Sequence, residues 1–570
     1  MVNRTLAIPS TLRLGPLLRY AGPREATVWV ETSHPGEVEV RPGEGAPASK
    51  ERTFSVAGHH YALVTLRNLS PGSSYRYEVR LDGERLWPPE ESRFPPSLIR
   101  TPDPASGSLR LAFGSCRVSV PHEPPYTLRR GSLKRGGVLR RGFYERDALY
   151  ALALRMHREP PNRWPDALLM LGDQIYADEV SPETKAFIRS RRDAASPPGE
   201  QVADFEEYTR LYLEAWRDPV IRWLLSTVPS AMIFDDHDVH DDWNTSEAWV
   251  RKMRSKPWWE ERITGAFMSY WIYQHLGNLS PDELEENPLF REVRGSEDAT
   301  EALRAFARAA DRDASANRWS FRRDFGRVRL VVADSRAGRV LKEDARAMLD
   351  EDEWAWVEEQ TLSGGLDHLL LATSLPFVLA PGLHHLEAAS EAVCGGAWGR
   401  MPARAGELLR QALDLEHWSA FGRSFAALSE LLRRVASGEG ATAPPASVVV
   451  LSGDVHHGYL AALELGPGAR SPAYQAVGSP IRNPLGLPER LALRAAWTRA
   501  GAALGRTVAR LAGVGEPPVG WRLLHRSPWF DNHISTLTVE GRRATLLVEK
   551  TTPEDGREPR LIPILEHRLA

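Results

Sequence analysis

SVVVLSGDVHHGY, residues 447–459, decides how this chain is read. The apolar run from Ser447 to Ser452 is too short for a helix and reads as a buried strand. It stops at Gly453, and Asp454, His456 and His457 follow. Asp454 and His456, two residues apart, can point to one side of an extended strand end. A carboxylate and a neutral imidazole placed there suit two neighbouring ions. Three more segments repeat the pattern: LRLAFGSCR (109–117), DALLMLGDQIYAD (166–178) and SAMIFDDHDVHDDWN (230–244). Each delivers Cys, Asp, Tyr or His at the C-terminal edge of a strand, where open α/β sheets place their ligand sites.

Four such strand ends with complementary ligand types point to a polynuclear metal site suited to hydrolysis. Asp173 follows a buried strand and a glycine, and Tyr176 can fold back to the same point. A phenol with an ordinary pKa near ~10 binds as phenolate only to a strongly acidic metal such as ferric iron. Taken alone, the pair fits a turn Asp and a packing Tyr equally well. Cys116 ends another strand; a thiolate there suits a transition metal and not calcium or magnesium, against the alternative of a small buried hydrophobe. Arg117 can fork onto phosphate oxygens or make an ordinary ion pair. Asp235, Asp236, His237, Asp238, His240, Asp241 and Asp242 crowd one loop directly after Met232-Ile233-Phe234. Burying several carboxylates without cations is very costly, and metal ions resolve it. Asp334 and Arg336 close a fifth strand, Arg336 as a clamp on a phosphoryl group and Asp334 to orient it or to complete an ion pair. Thr373 and Ser374 end a sixth, where a purely structural role weighs more than support for the site.

The rest of the 570 residues bounds the reading. The length calls for two or three domains. The formal net charge of −3 selects neither nucleic acid nor an anionic membrane globally, and two cysteines exclude a disulfide scaffold. No stretch approaches the ~18 apolar residues of a membrane span. The first twenty residues lack an apolar h-region and a small-residue cleavage site, so no signal peptide is read and a cytoplasmic location is expected. Residues 1–100 alternate apolar and polar, as in ATVWVETSHPGEVEV, between Pro/Gly turns. They predict a small all-β domain of immunoglobulin or fibronectin type with a structural role. Residues 101–108 read as a linker, and 109–570 as a layered α/β catalytic domain. Its helices are expected at 143–158, 205–216 and 351–360, and a terminal β-hairpin turns at Glu-Gly.

The chain resembles the alkaline phosphatase D (PhoD-like) family of metallophosphoesterases, distant relatives of the purple acid phosphatases. GSCR, GDQIYAD, DDHD, DSR, DEDEWAWVEEQ, SGDVHHG and VGSPIRNP occur in family order. The resemblance implies a layered metallophosphoesterase sandwich after a leading β-domain. It implies a ferric ion held by Cys116, Asp173, Tyr176 and His456, with one or two calcium ions beside it. Asp173 would bridge, and Asp236 and Asp454 would face calcium; other divalent ions are an alternative. His237 would contact phosphate or protonate the leaving group. Arg336 would join it in catalysis, and Arg117 and His457 would bind substrate. The chain departs from the family where Asp241-Asp242 replaces an Asn pair, in its Arg-rich stretch RRGSLKRGGVLRRG (129–142), and in lacking a secretion signal.

The expected activity is hydrolysis of phosphate mono- or diesters by a metal-bridged hydroxide with in-line displacement. Phospholipase D-like action on a lipid or polyanionic ester is the alternative, and a noncatalytic, metal-stabilised binding protein the second. One segment stands apart: ERLALRAAWTRAGAALGRTVARLAG (489–513). Read as one helix, it puts Arg499, Arg506 and Arg510 on one face and Leu493, Trp497, Leu504, Val508 and Leu511 on the other. That predicts either a packed apolar face with a solvated basic one, or a peripheral contact with an anionic surface.

Overall fold

A computed structural model describes residues 10–43, 45–128, 143–552 and 558–570. The Arg-rich stretch at 129–142 and the first nine residues lie outside the described residues.

Short strands punctuated by Pro and Gly build two antiparallel sheets at the start of the chain. One orders Leu12–Ala21, Ala26–Thr32, His59–Leu66 and Phe54–Val56. The other orders Ser49–Arg52, Glu37–Pro42, Ser74–Leu81 and Glu84–Trp87, with Leu98–Arg100 also paired to Ser74–Leu81. Val28, Val30, Val38, Val40 and Val64 share the core they enclose. Alternation in ATVWVET predicts a strand with one wet face, yet Ala26–Thr32 is buried along both. Its outer face, carrying Trp29 and Glu31, packs on the helix Trp259–Tyr273; the Trp29 and Tyr273 rings lie 5.2 Å apart.

The α/β part rests on two further sheets. In the first, Ser230–Ile233, Ala167–Leu171 and Ser108–Gly114 run parallel, and the C-terminal strands His533–Glu540, Arg543–Thr551 and Leu561–Arg568 extend it antiparallel. In the second, Val328–Val332, His368–Ala372, Ser447–Ser452 and Ala473–Val477 run parallel, flanked by antiparallel edges. The sheets face each other across Leu169, Leu171, Ile233, Leu370, Val449 and Leu451. Leu168 and Met170, on the opposite face, enter the helical core. Burial on both faces is why these strands read as unbroken apolar runs.

Several sequence expectations change. The helix expected from Phe143 begins at Ala148, where Asp147 accepts the amides of Leu149 and Tyr150. The terminal hairpin turns at Gly541-Arg542, with Glu540 already paired to Arg543, and gains a third strand. The single helix read over 489–513 is two, Leu487–Ala496 and Arg499–Leu511, broken where Thr498 caps the second through the Gly501 amide. The second packs by its small residues: a Cβ on Gly505 would strike the backbone of Gly382. Leu504 and Leu511, expected to be buried, are exposed.

Candidate metal centre

The ends of the two sheets meet so closely that glycine is required at the joins. A Cβ on Gly453 would collide with Ser115 and stand 2.8 Å from the Leu171 carbonyl oxygen. One on Gly172, at φ +106°, would stand 2.5 Å from Asp235 Oδ2. Beyond them Cys116, Asp173, Asp454 and His456 all take left-handed backbone, with φ of 55°, 47°, 64° and 49°. Each such residue costs about 1–3 kcal/mol, and surrounding structure must hold it there.

Cys116, Asp173 and His456 each offer a ligand atom, all within 4.8 Å of one another, and so do Asp173, Asp235 and Asp236. Asp173 belongs to both groups. Tyr176 joins the first: its hydroxyl lies 3.3 Å from Asp173 Oδ2 and accepts from Asn483 Nδ2 at 3.2 Å. Asp454 joins the second through Arg336, whose Nη2 lies 3.3 Å from Asp236 and 3.6 Å from Asp454. The strand Ser230–Ile233 leads to two carboxylates, Asp235 and Asp236, because a tight turn, Asp236–Asp238, starts just beyond it.

The electrostatics call for a cation. Burial, then Asp173 and Asp454, push the Cys116 thiol well above its ordinary range. Burial, then Asp173 and Cys116, do the same to the Tyr176 phenol. Burial holds His456 down to about 4, so its imidazole is neutral, as a ligand must be. Asp173 Oδ1 and Asp235 Oδ2 are buried with no hydrogen-bond partner. Orphaned carboxylate oxygens beside a thiol, a phenol and an imidazole fit a metal, since the same groups without one are costly to bury.

Other expected residues take different places. Arg336 is fully buried, not a clamp facing substrate: its guanidinium reaches Asp235 and Glu416, each at 2.5 Å, besides Asp236 and Asp454. Arg117 reaches Asp147 (2.8 Å) and the Ala215 carbonyl (2.9 Å), just beyond the left-handed turn at Cys116. His457 is buried between Tyr459 and Phe530, with Nδ1 donating to the Val455 carbonyl. Asp334 accepts the amides of Arg336, Ala337 and Gly338 and so fixes the turn that carries Arg336. The Ser374 carbonyl accepts from Gly453 N, and Thr373 Oγ1 accepts from Trp418.

His237 stays at the centre. Its ring lies 4.7 Å from that of Tyr176, and Nδ1 is 3.0 Å from Asp178. Burial opposes its charge, but Asp178 and Asp236 outweigh burial and raise it well above the ordinary range. Sequence reasoning placed Asp235 in the metal loop without singling it out as a candidate ligand, and it missed Asp178 as the partner of His237 and the pair Glu416 and His417. His417 Nε2 lies 3.2 Å from Asp454, and its Nδ1 2.8 Å from Glu387. Burial works against the Asp454 charge, but the hydrogen bond from His417 and the Arg336 guanidinium keep it below the usual carboxylate range. Tyr176, Asp178, Asp241 and Asn483 form one wall of a cleft of about 990 Å³ whose other walls include Val118, Tyr126, Phe143 and Leu211.

Among known proteins, the PhoD-like phosphatase profile matches residues 149–499, more than half of the chain, and a domain of unknown function, DUF7800, matches residues 9–99. No curated protein matches. A solved structure of PhoD aligns over 97% of this chain and 92% of its own at 12% identity, with a TM-score of 0.57, which shows a shared fold. The type III pullulan hydrolase from Thermococcus kodakarensis aligns over 97% of this chain and 98% of its own, at 11% identity and a TM-score of only 0.15, too low to bear on the argument. The profile match, over a fold that carries an acidic cluster able to bind metal, places this chain in the PhoD-like phosphatase family, a family of phosphate-ester hydrolases.

Proposed function

We propose that the chain hydrolyses phosphate esters at a centre of at least two metal ions between the sheet ends. The observation that carries this reading is the sharing of Asp173 between a Cys–Asp–His group and an all-carboxylate group. Cys116, Asp173, Tyr176 and His456 would hold iron, a thiolate and phenolate being ligands for a transition metal. Asp173, Asp235, Asp236 and Asp454 would hold calcium or another hard divalent ion. When bound, the ions would supply Lewis acidity toward the phosphoryl oxygens and the attacking water.

The chain's own residues supply the rest. His237, kept protonated by Asp178, donates its Nε2 proton to the departing ester oxygen. Arg336 offsets part of the charge of Asp235, Asp236, Glu416 and Asp454 and holds Glu416 and Asp454 below the usual carboxylate range, while burial still raises Asp235 and Asp236. His417, held by Glu387, fixes Asp454. The cleft beside Tyr176 accepts the ester's organic arm. Val118, Tyr126, Phe143 and Leu211 offer it apolar surface beside the carboxylates of Glu179, Glu200 and Glu214, and a cleft of about 990 Å³ has room for the second arm of a diester, which supports phospholipase D-like action as a second reading. Hydrolysis of bis-p-nitrophenyl phosphate and p-nitrophenyl phosphate with and without chelator tests both. Diester turnover abolished by chelator and restored by metal is expected, and chelator-resistant turnover would sink the proposal.

A further inference from the structure

Ten of the eleven large hydrophobic side chains exposed among the described residues lie in two segments, 381–413 and 487–511. Chance scatter would not gather them so, and concentrated apolar surface marks an interaction site. The helix Arg400–Ala412 is inverted in polarity. It rests on the helix Pro381–Cys394 through Gly406, where a Cβ would stand 3.1 Å from Val393 and 3.2 Å from Cys394 Sγ. At about 100° per residue, Met401, Ala405, Leu408 and Ala412 fall within about 60° of one another on the far face. Met401 is 73% exposed and Leu408 72%. Trp398, just before the helix, donates from Nε1 to the Leu511 carbonyl at 2.9 Å. That bond joins the ridge to Leu511, 70% exposed, at the end of Arg499–Leu511.

The same surface is basic on a chain of net charge −3. At the surface of these segments lie Arg400, Arg404, Arg494, Arg499, Arg506 and Arg510, against Glu407 and Glu489, while Arg410 is buried and paired with Glu343 and Glu407. Arg506 and Arg510 pair with Glu516. Arg400, Arg404 and Arg499 are exposed and make no ion pair among the described residues. An apolar ridge bordered by free arginines, with an indole at its edge, matches the interfacial layer of an anionic bilayer. A second protein chain would be expected to bring carboxylates to a more mixed surface.

We propose that the face formed by Trp398, the Arg400–Ala412 helix and Leu511 docks on an anionic lipid bilayer. Met401, Leu408 and Leu511 enter the interfacial layer, and Arg400, Arg404 and Arg499 meet headgroup phosphates. Flotation of the full chain with phosphatidylcholine vesicles, with and without phosphatidylserine, tests this. The wild type should float only with phosphatidylserine, equally well after chelation, which separates this test from that of the catalytic reading. Each of Arg400→Gln, Arg404→Gln and Arg499→Gln should weaken binding about fivefold at low salt. Met401→Ser with Leu408→Ser should weaken it tenfold or more, and all should keep wild-type hydrolysis of p-nitrophenyl esters. The proposal falls if the wild type does not float, if the variants float like it, or if light scattering shows a dimer that the serine variant splits.

Discussion

Two clusters of buried charge in this protein are built in opposite ways. Where the N-terminal sheets meet the α/β part, His59 bridges Glu31 at 2.8 Å and Glu206 at 2.7 Å, and Tyr273 donates to the other Glu31 oxygen at 2.9 Å. The Tyr61 and Tyr273 hydroxyls complete that network at 3.1 Å. Between the sheet ends, Asp173 Oδ1 and Asp235 Oδ2 find no partner at all, and the backbone is held left-handed at four candidate ligands. The first cluster compensates itself with protons and hydrogen bonds and needs nothing added. The second has more anions than Arg336 and His417 can satisfy, and that imbalance marks it as a place for cations.

The largest effect should come from removing shared charge at the second cluster. Asp173→Asn or Asp454→Asn is expected to lower kcat/KM by about a thousandfold or more, about 4 kcal/mol of transition-state stabilisation. The circular dichroism spectrum should stay native. Wild-type rates in both variants would mean that the carboxylates do not act together. Next, Arg336→Gln removes the cation that four carboxylates face, and should cost on the order of 3–5 kcal/mol of stability in chemical unfolding. Added calcium should recover part of that loss if a metal can take over the compensation.

The self-compensated cluster should respond to pH instead of metal. Burial opposes protonation of His59, but the hydrogen bonds to Glu206 and Glu31 outweigh it and raise the imidazole to about 9. A folded value above the ordinary 6.5 gives stability that is complete below about pH 6.5 and lost as pH rises through about 9. Melting curves should show a decline on the order of 3 kcal/mol across that window. His59→Gln should flatten it, and a wild-type curve already flat would contradict this account of the interface. The smallest effect belongs to His457→Phe. A ring packed between Tyr459 and Phe530 and turned from the centre should change turnover by no more than about twofold; a larger fall in kcat at unchanged stability would return His457 to the substrate.

What could be read from the sequence follows the same division. The strand ends were legible because parallel strands buried on both faces leave unbroken apolar runs, and the residue after each run sits at the sheet mouth. Which of Asp235 and Asp236 turns inward was not legible, because strand alternation ends at a tight turn and both do. Glu416 and His417 arrive from a segment with no strand to announce it. Arg117 and Arg336 were read as phosphate clamps from their position beside ligands, but sequence proximity does not give direction, and both are buried against carboxylates. In the N-terminal region the alternation gave the sheets and hid the burial of their outer face, since Glu31 looks solvent-facing until His59 and Tyr273 meet it. The Arg499–Leu511 helix misled for a related reason: glycine and alanine allow the closest backbone approach, so they, and not the leucines, were drawn inward.

The central claim is that the Cys116 side and the all-carboxylate side of Asp173 hold two different ions. Elemental analysis of the purified wild type, Cys116→Ser and Asp235→Asn tests it most directly. The wild type should carry iron and a second, harder ion, with visible absorption from thiolate and phenolate ligation. Cys116→Ser should lose the iron and the colour, and Asp235→Asn should keep both while losing the second ion. A colourless, iron-free protein with full activity, or loss of both metals in equal measure in the two variants, would contradict the account.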